Sequence, residues 1–211
     1  MSNVLTGDYL AAEEGKFFTS WQAATANTAV ATATQALGNT SPHLVIWNGQ
    51  PAGGKNIYMK KVEFGTTAVA TGRTTLEHVG VLNGDTAAHT TTGTLMSSPI
   101  NVNGDSGEGS LTVLYAGVNV MATPAAGSRI VHTGRVQPII PIVLDSWNFV
   151  YGEGSLLTAA PVETLAKVKM VNVALPPVII APQTFYTLGL WGASNGAAAD
   201  TVRTAVSWIE Q

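Results

Sequence analysis

The chain contains no cysteine and little charge. The absence of Cys excludes disulfide frameworks, thiolate nucleophiles and Cys-ligated zinc sites. Charged residues make up 11% of the 211 residues, whereas ordinary globular domains contain about 25%. So few charges leave little repulsion between copies of the chain. We therefore expect part of the surface to be covered by copies of the chain or by other partners.

Positive charge is both sparse and scattered. The ten Lys and Arg residues are spread along the chain, Lys60-Lys61 is their single adjacent pair, and the net charge is −3. Neutralising a row of phosphates requires a basic stripe, and the sequence has none. We expect no direct contact with nucleic acid.

Long apolar runs are also missing. No run approaches the roughly 18 residues of a membrane-spanning helix. The opening stretch MSNVLTGDYLAAEEGKFF lacks the basic and apolar regions of a signal peptide. These features predict a protein that is made in the cytoplasm and used without secretion, and that has no membrane partner.

Ala, Thr and Gly replace the missing charge, and a chain rich in Thr and Gly favours strands and turns over helices. Apolar residues alternate with a period of two in most segments. Segments end at Gly, at Pro or at one of four Asn-Gly pairs, which are strong turn signals. The predicted strands cover residues 28–34, 43–49, 56–65, 74–84, 93–104, 109–122, 164–182, 184–194 and 201–211, with two more within 129–152.

This succession of strands and turns predicts an all-β fold, an antiparallel β-sandwich of the jelly-roll (Greek key) type. Residues 1–21 are expected to form an N-terminal arm, in which YLAAEEGK makes a helical turn that ends at Gly15. Residues 22–211 are expected to form a single jelly-roll domain. Two roles for the arm remain open, covering one edge of the core or docking on a neighbouring subunit.

Alternation also predicts which side chains share a face of a strand. In segment 56–65, a strict period of two places Lys61 and Glu63 on the same face as Ile57 and Met59. The opposite face then carries Tyr58, Lys60, Val62 and Phe64.

The last segment, AVSWIEQ, alternates up to the end of the given sequence. Its Val206 and Trp208 are predicted to face one side, and Ala205, Ser207 and Ile209 the other. Burying a Trp side chain is worth about 2–3 kcal/mol. We therefore expect this strand to lie inside a sheet, with a core on one side and a partner on the other.

Few residues point to catalysis. The four histidines, His43, His78, His89 and His132, lie in separate segments without the i, i+2 spacing of a strand-borne metal site. Each is predicted to be a surface residue or a strand residue with its hydrogen bonds satisfied. We predict no catalytic residues, no metal and no cofactor.

One loop has partial cation-binding spacing. Asn101, Asn103 and Asp105 are spaced like the first ligands of a calcium loop, but Ser106 and Thr112 stand where such a loop needs Gly and Glu. An Asn-rich hairpin loop is the favoured interpretation. A bound cation at 101–105 is the alternative.

Three stretches resemble small single-jelly-roll virion proteins of phages and viral metagenomes. The first is EEGKFFTSWQAA followed by LVIWNGQPAGGKNIYMKKVEF, and the others are PPVIIAPQTFYTLGLWGAS and the closing AVSWIEQ. The resemblance implies a jelly roll that assembles as a homotrimer and is built into a virion. It supplies no catalytic residues to carry over to this chain.

The expected function is structural, as a decoration (cement) protein that bridges subunits of the major capsid protein on the capsid surface. The first turns carry Asp8, Glu13 and Glu14 against Lys16, which favours the outside of the shell over its DNA-facing side. Three alternatives remain: a shell or vertex jelly roll, a carbohydrate-binding or receptor-binding fibre head, and an enzyme built on a sandwich. The residues expected at subunit or capsid contacts are Phe17, Phe18, Trp21, Trp208 and Ile209.

Overall fold

The structure is a computed structural model that describes residues 7–23, 28–29, 42–69, 73–83, 93–117, 128–136, 143–152, 170–194 and 200–211. These ranges contain one short helix and fourteen strands. No helix within them is long and apolar enough to cross a membrane. The elements are α1 (Gly7–Glu13), β1 (Phe17–Trp21), β2 (Thr28–Ala29), β3 (Leu44–Asn48), β4 (Ile57–Ala68), β5 (Arg73–Asn83), β6 (Thr94–Leu95), β7 (Ile100–Asn101), β8 (Thr112–Ala116), β9 (Arg129–Val136), β10 (Ser146–Tyr151), β11 (Met170–Leu175), β12 (Ile179–Ile180), β13 (Phe185–Ser194) and β14 (Thr201–Glu210).

The strands form two sheets that pack against each other. The eight-stranded sheet has the order β11-β10-β4-β14-β1-β7, with β12 paired to β4 and β2 paired to β14. The six-stranded sheet has the order β6-β8-β3-β13-β5-β9. The predicted all-β sandwich is confirmed.

Eight of these strands form a jelly roll. They are β1, β3, β4, β5, β9, β10, β13 and β14, and numbered one to eight along the chain they pair in the orders 1-8-3-6 and 2-7-4-5. Apart from the fourth and fifth, which are neighbours in one sheet, successive strands thus alternate between the sheets, as in two Greek keys. Every pairing among the eight is antiparallel, while β11 joins the edge strand β10 in parallel.

The core between the sheets is formed by large apolar side chains from both layers. Strand alternation turns every second side chain inward, where burial of apolar area stabilises the sandwich. The largest fully buried side chains of this core are Trp147, Trp208, Tyr151, Tyr186, Phe18, Phe64, Phe149, Leu44, Ile46 and Ile57, and Phe185 belongs to a separate cluster with Val45.

A β-bulge corrects the predicted faces of β4. The register against β14 shifts between Ser207, which faces Lys61, and Trp208, which faces Met59, so that Lys60 is the extra residue. Strict alternation would have turned Lys61 inward together with Met59. The bulge instead buries Ile57, Met59, Val62 and Phe64 together and leaves Lys61 and Glu63 half-exposed on the outer face.

The predicted long strand over 93–104 is wrong. The structure has two short strands there, β6 and β7, because Pro99 cannot donate to a ladder and Ser97 bonds across to another strand. The Ser97 N–H donates to the Trp21 carbonyl at 2.9 Å. Of the strand predicted at 28–34, the described part is β2, and the rest lies outside the described residues, as do His89 and the Asn195-Gly196 pair.

The first described segment is tied into the sandwich. Helix α1 ends where the Lys16 N–H donates to the Ala11 carbonyl at 2.8 Å, and Gly15 has a φ of +68°, which a glycine adopts readily. An ion pair of 2.9 Å joins Lys60 to Asp8. Strand β1 then pairs with β14 and β7, so that the end of the expected arm is an inner strand of the eight-stranded sheet.

The terminal strand β14 lies between β4 and β1, inside the sheet. Val206 and Trp208 are buried in the core, as alternation predicts, and Ala205 and Ser207 face outward and are half-exposed. The Trp208 ring stacks against Phe18, with ring centroids 6.1 Å apart and an interplanar angle of 21°. The last strand therefore supplies both backbone pairing and core volume.

Trp208→Ala should lower the free energy of unfolding by about 3–5 kcal/mol, since it leaves a large cavity between the sheets. Trp21→Ala, which truncates the same residue type on the exposed face of neighbouring β1, should lower it by less than about 1 kcal/mol. Chemical denaturation of the two variants measures both losses. Equal losses would contradict the assigned faces of β1 and β14.

Candidate functional site

The five predicted contact residues fall on two faces of the eight-stranded sheet. Phe18 and Trp208 are fully buried within the chain, so their side chains face the core and not a partner. Phe17, Trp21 and Ile209 lie on the outer face. Of these, Trp21 is 42% exposed, Phe17 is half-buried and Ile209 is buried. Trp21 is thus the most accessible of the five.

The centre of the outer face is a shallow hollow. Small side chains, Thr19 on β1 with Ala205 and Ser207 on β14, form its floor, and the Lys61–Glu63 ion pair on β4 forms one wall. The ion pair spans 2.7 Å, and the exposed Arg203 of β14 lies on the same face. The volume of the hollow is about 200 Å³.

Apolar side chains flank the hollow on the side of β1 and β7. Trp21, Ile100 and Val102 are 42%, 46% and 47% exposed, and we call these three residues the edge patch. Ile100 lies directly opposite Thr19, and the Val102 N–H donates to the Phe17 carbonyl at 3.0 Å, so backbone pairing holds the patch beside the hollow. Exposed apolar side chains grouped in this way mark contact sites more often than isolated ones do.

A second feature lies inside the sandwich, where strands β5 and β9 each place a histidine opposite a glycine of the other strand. His78 pairs with Gly134, and Gly80 pairs with His132. A Cβ atom on Gly80 would meet the His132 ring well inside van der Waals contact, and one on Gly134 would lie 2.8 Å from the Nε2 atom of His78. The two glycines therefore make room for the two rings. The imidazoles contact each other with centroids 5.3 Å apart.

Aromatic rings surround this histidine pair. His78 packs edge-on against Phe149 at 4.9 Å, and the Nε2 atom of His132 shares a hydrogen bond of 2.7 Å with the Tyr186 hydroxyl. That hydroxyl shares a further bond of 2.9 Å with Tyr151. Both histidines are buried, with 2% and 8% of their surface exposed.

Burial controls protonation in this cluster. Loss of hydration lowers the pKa of His78 to about 4, and loss of hydration together with the neighbouring His78 lowers the pKa of His132 to about 3. Burial raises the pKa of the hydroxyls of Tyr151 and Tyr186. All four groups are therefore neutral at pH 7.

The histidine prediction holds only in part: His78 and His132 are strand residues, but their Nδ1 atoms have no partner among the described residues, and His43 lies just before β3. His43, His78 and His132 are all buried in the sandwich, and none of the three lies on the surface. The sequence does carry a signal for the pair, because His78-Val-Gly80 and His132-Thr-Gly134 repeat one His-x-Gly pattern. Two such strands in antiparallel register place each His opposite the other strand's Gly. Within the described ranges, no three His, Asp or Glu side chains come together as a metal site would require.

The carboxylate of Glu210 is a buried acceptor that the sequence analysis did not identify. Its Oε1 atom accepts bonds from Thr112 Oγ1 at 2.9 Å, from Trp208 Nε1 at 3.0 Å and from the Ser110 hydroxyl, and Gln50 Nε2 donates to Oε2 at 3.4 Å. Four neutral donors satisfy a carboxylate that would otherwise be costly to bury. This network ties the end of β14 to the loops at 50 and 110. Its role is structural.

The loop at 101–105 uses its side-chain oxygens internally. Asn101 Oδ1 accepts from the Asn103 N–H at 2.9 Å, and Asn103 Oδ1 accepts from the Asp105 N–H at 3.0 Å. The side-chain amide of Asn101 donates to the carbonyl of Gly15, which follows helix α1. The side-chain amide of Asn103 donates to the carbonyl of Glu13, the last residue of the helix. This geometry favours the hairpin-loop interpretation, in which the loop holds the end of the helix.

Comparisons with protein-family models, with curated protein sequences and with solved structures find no match for this chain. The proposed function is therefore based on the residues and the geometry of the chain itself.

Gly80→Ala should lower the free energy of unfolding by about 1–3 kcal/mol, because its methyl group would overlap the enclosed His132 ring. Gly65→Ala is the matched control in strand β4, where an added Cβ meets nothing within 4 Å. This variant should be neutral or slightly stabilising. Thermal and denaturant unfolding measure both effects.

The double variant Gly80→Ala/His132→Ala separates overlap from other effects of the alanine. If the clash is the cause, the alanine at 80 should cost less in the His132→Ala background than in the native one. An equal cost in the two backgrounds would contradict the proposed fit of ring and glycine.

Proposed function

We propose that this protein is a structural component of a virus particle, a decoration protein that binds the exterior of a phage capsid. In this proposal it assembles as a homotrimer and bridges subunits of the major capsid protein. The observation that carries the proposal is the edge patch beside the hollow. It offers exposed apolar side chains on a sheet face, beside the Lys61–Glu63 ion pair.

The interior of the sandwich supports a role without turnover. A jelly roll that binds a substrate internally needs an open cavity with convergent polar groups. Here large side chains from both sheets fill the space between them. Polar groups converge in two separate clusters, one around His132 and one around Glu210. The groups of each cluster are buried and hydrogen-bond within that cluster. Their geometry favours stability of the body over access by a substrate.

Symmetric assembly makes modest contacts sufficient. A stable interface buries about 1,600 Å² in total, and a homotrimer repeats each contact three times. Trp is enriched among the residues that contribute most to binding energy, so Trp21 is the proposed centre of the contact. The low charge of the chain reduces the desolvation cost of such an interface.

The charges of the first turns also support an exterior position. Asp8 pairs with Lys60, and Glu14 pairs with Lys16 at 2.7 Å. The described part of this segment therefore has more acidic than basic residues and presents no basic stripe for packaged DNA. A shell or vertex jelly roll remains the nearest variant of the proposal.

A second candidate function is carbohydrate binding on the same face. The observation that favours it is the exposed Trp21 indole near a hollow whose lining includes hydroxyls of Thr19 and Ser207 and the charged groups of Lys61 and Glu63. An aromatic platform beside a few fixed polar groups is a common arrangement for small polar ligands. In this case the protein would be the receptor-binding head of a fibre.

The assembly state of the purified chain tests the first candidate. We expect a homotrimer by native mass spectrometry and light scattering. Trp21→Ser/Ile100→Ser should weaken association by at least about thirtyfold, since each buried apolar anchor contributes on the order of 1–2 kcal/mol. Ile179→Ser is the matched control, because Ile179 is 47% exposed on β12 of the same sheet, away from the edge patch.

A monomer at high concentration, or equal effects of the patch and control variants, would count against a trimer built on the edge patch. The proposed contact with the major capsid protein is tested separately, by measuring how the chain binds to empty capsids with and without the patch substitutions. Saccharide binding on a glycan array that Trp21→Ala abolishes would instead support the second candidate.

A further inference from the structure

The histidine pair His78 and His132 has no part in the proposed contacts. We propose that this pair makes the jelly roll acid-labile, so that proton uptake in a mildly acidic medium releases the edge strand β9 from β5. This acid lability is a property of the β-sandwich alone and does not depend on what the outer face binds.

The two rings are enclosed because the glycines opposite them leave the space that they fill. Gly134 lies across from His78, Gly80 lies across from His132, and the ring centroids are 5.3 Å apart. The Nδ1 atoms of both rings are buried and have no hydrogen-bond partner among the described residues. A proton added to Nδ1 of either ring therefore creates a buried charge with no acceptor among the described residues at that atom.

The described groups that face the pair offer no counter-charge. Tyr151 on β10 and Tyr186 on β13 are the titratable groups in contact with it, and burial raises the pKa of both hydroxyls, so both stay neutral. His43 reaches the pair through the Phe64 and Phe149 rings of β4 and β10. Among the described residues, no Asp, Glu, Lys or Arg bonds to His78 or His132, and Glu77 beside His78 is turned to the opposite face of β5 by alternation.

The direction of the pH effect follows from the depressed pKa values. An imidazole in the unfolded chain takes up its proton near pH 6.5, whereas the pKa of His78 in the fold is about 4 and that of His132 about 3. The unfolded state therefore binds more protons in the window between these values. Stability is complete above pH 6.5 and falls as the pH is lowered. Across this window each histidine raises the unfolding constant by up to about tenfold per pH unit.

Strand β9 is the element expected to yield first. It lies at the edge of the six-stranded sheet and, among the described strands, pairs with β5 alone. The two rings project from these two facing strands, so protonation of both places like charges across a single ladder. That ladder already carries a register shift between Gly80 and Val81. Central strands such as β14 are held on both sides and are expected to open later.

Amide hydrogen exchange of the full chain between pH 7 and pH 4.5 tests the order of opening. After correction for intrinsic exchange rates, amides of β9 and of the facing part of β5 should lose protection at higher pH than those of β14. Uniform loss across both sheets, or unchanged protection of β9 at pH 4.5, would overturn the proposal.

Substitutions assign the effect to the pair. His78→Phe/His132→Gln removes both titrating rings and retains an aromatic ring beside Phe149 and an amide that can bond to Tyr186. In the double variant, the rise of the unfolding constant on acidification should be smaller than in the native chain by up to about a hundredfold per pH unit. The same rise in the variant as in the native chain would contradict the proposal.

His43→Gln is the matched control, because burial also lowers the pKa of His43 to about 4 but this residue precedes β3. It should reduce the overall pH dependence by up to about tenfold per pH unit while β9 still opens first. Should the double variant fail to fold, NMR titration of the histidine ring protons of the native chain decides. Titration of His78 and His132 near pH 6.5 in the folded protein would overturn the inference.

Discussion

The structure depends on the position of its last strand. β14 lies between β4 and β1 and is paired along its length, so the two ends of the described chain close one sheet around each other. Its side chains contribute both to the core and to a buried polar network. Trp208 packs in the core against Phe18, and Glu210 accepts hydrogen bonds from four neutral donors, which lie on β8, on β14 itself and in the loops at 50 and 110. Ala205 and Ser207 of β14 also form part of the floor of the hollow on the outer face, beside the proposed contacts.

Low charge has different consequences inside and outside the sandwich. On the outer face, a local ion pair beside small side chains leaves the hollow with little net charge to desolvate. Inside, no carboxylate among the described residues bonds to the His78–His132 pair to stabilise a proton. The proposed assembly and the proposed acid sensitivity therefore share one origin in composition, although they concern different faces of the two sheets.

Glycine has a specific role in the second case. Gly80 and Gly134 lie in strand interiors, where glycine weakens a strand unless another group fills the space beside it. Here histidine rings fill that space, and each ring comes from the strand that the glycine faces. The close packing of the two rings thus offsets the destabilisation that glycine causes inside a strand. The packing then excludes the water that would otherwise hydrate a protonated ring.

The sequence by itself determined the fold class, most strand positions and the two faces of β14, because a period of two and turn residues are local signals that need no knowledge of neighbours. Only the tertiary structure decided which strands face each other, since His78 and His132 are far apart in sequence and meet through the β5–β9 register. It also placed the bulge at Lys60, where keeping Met59 and Val62 in one core outweighed strict alternation. The hydrogen bonds of Glu210 were likewise not predictable from the sequence, because Thr112 and Gln50 donate from distant segments that the fold brings together.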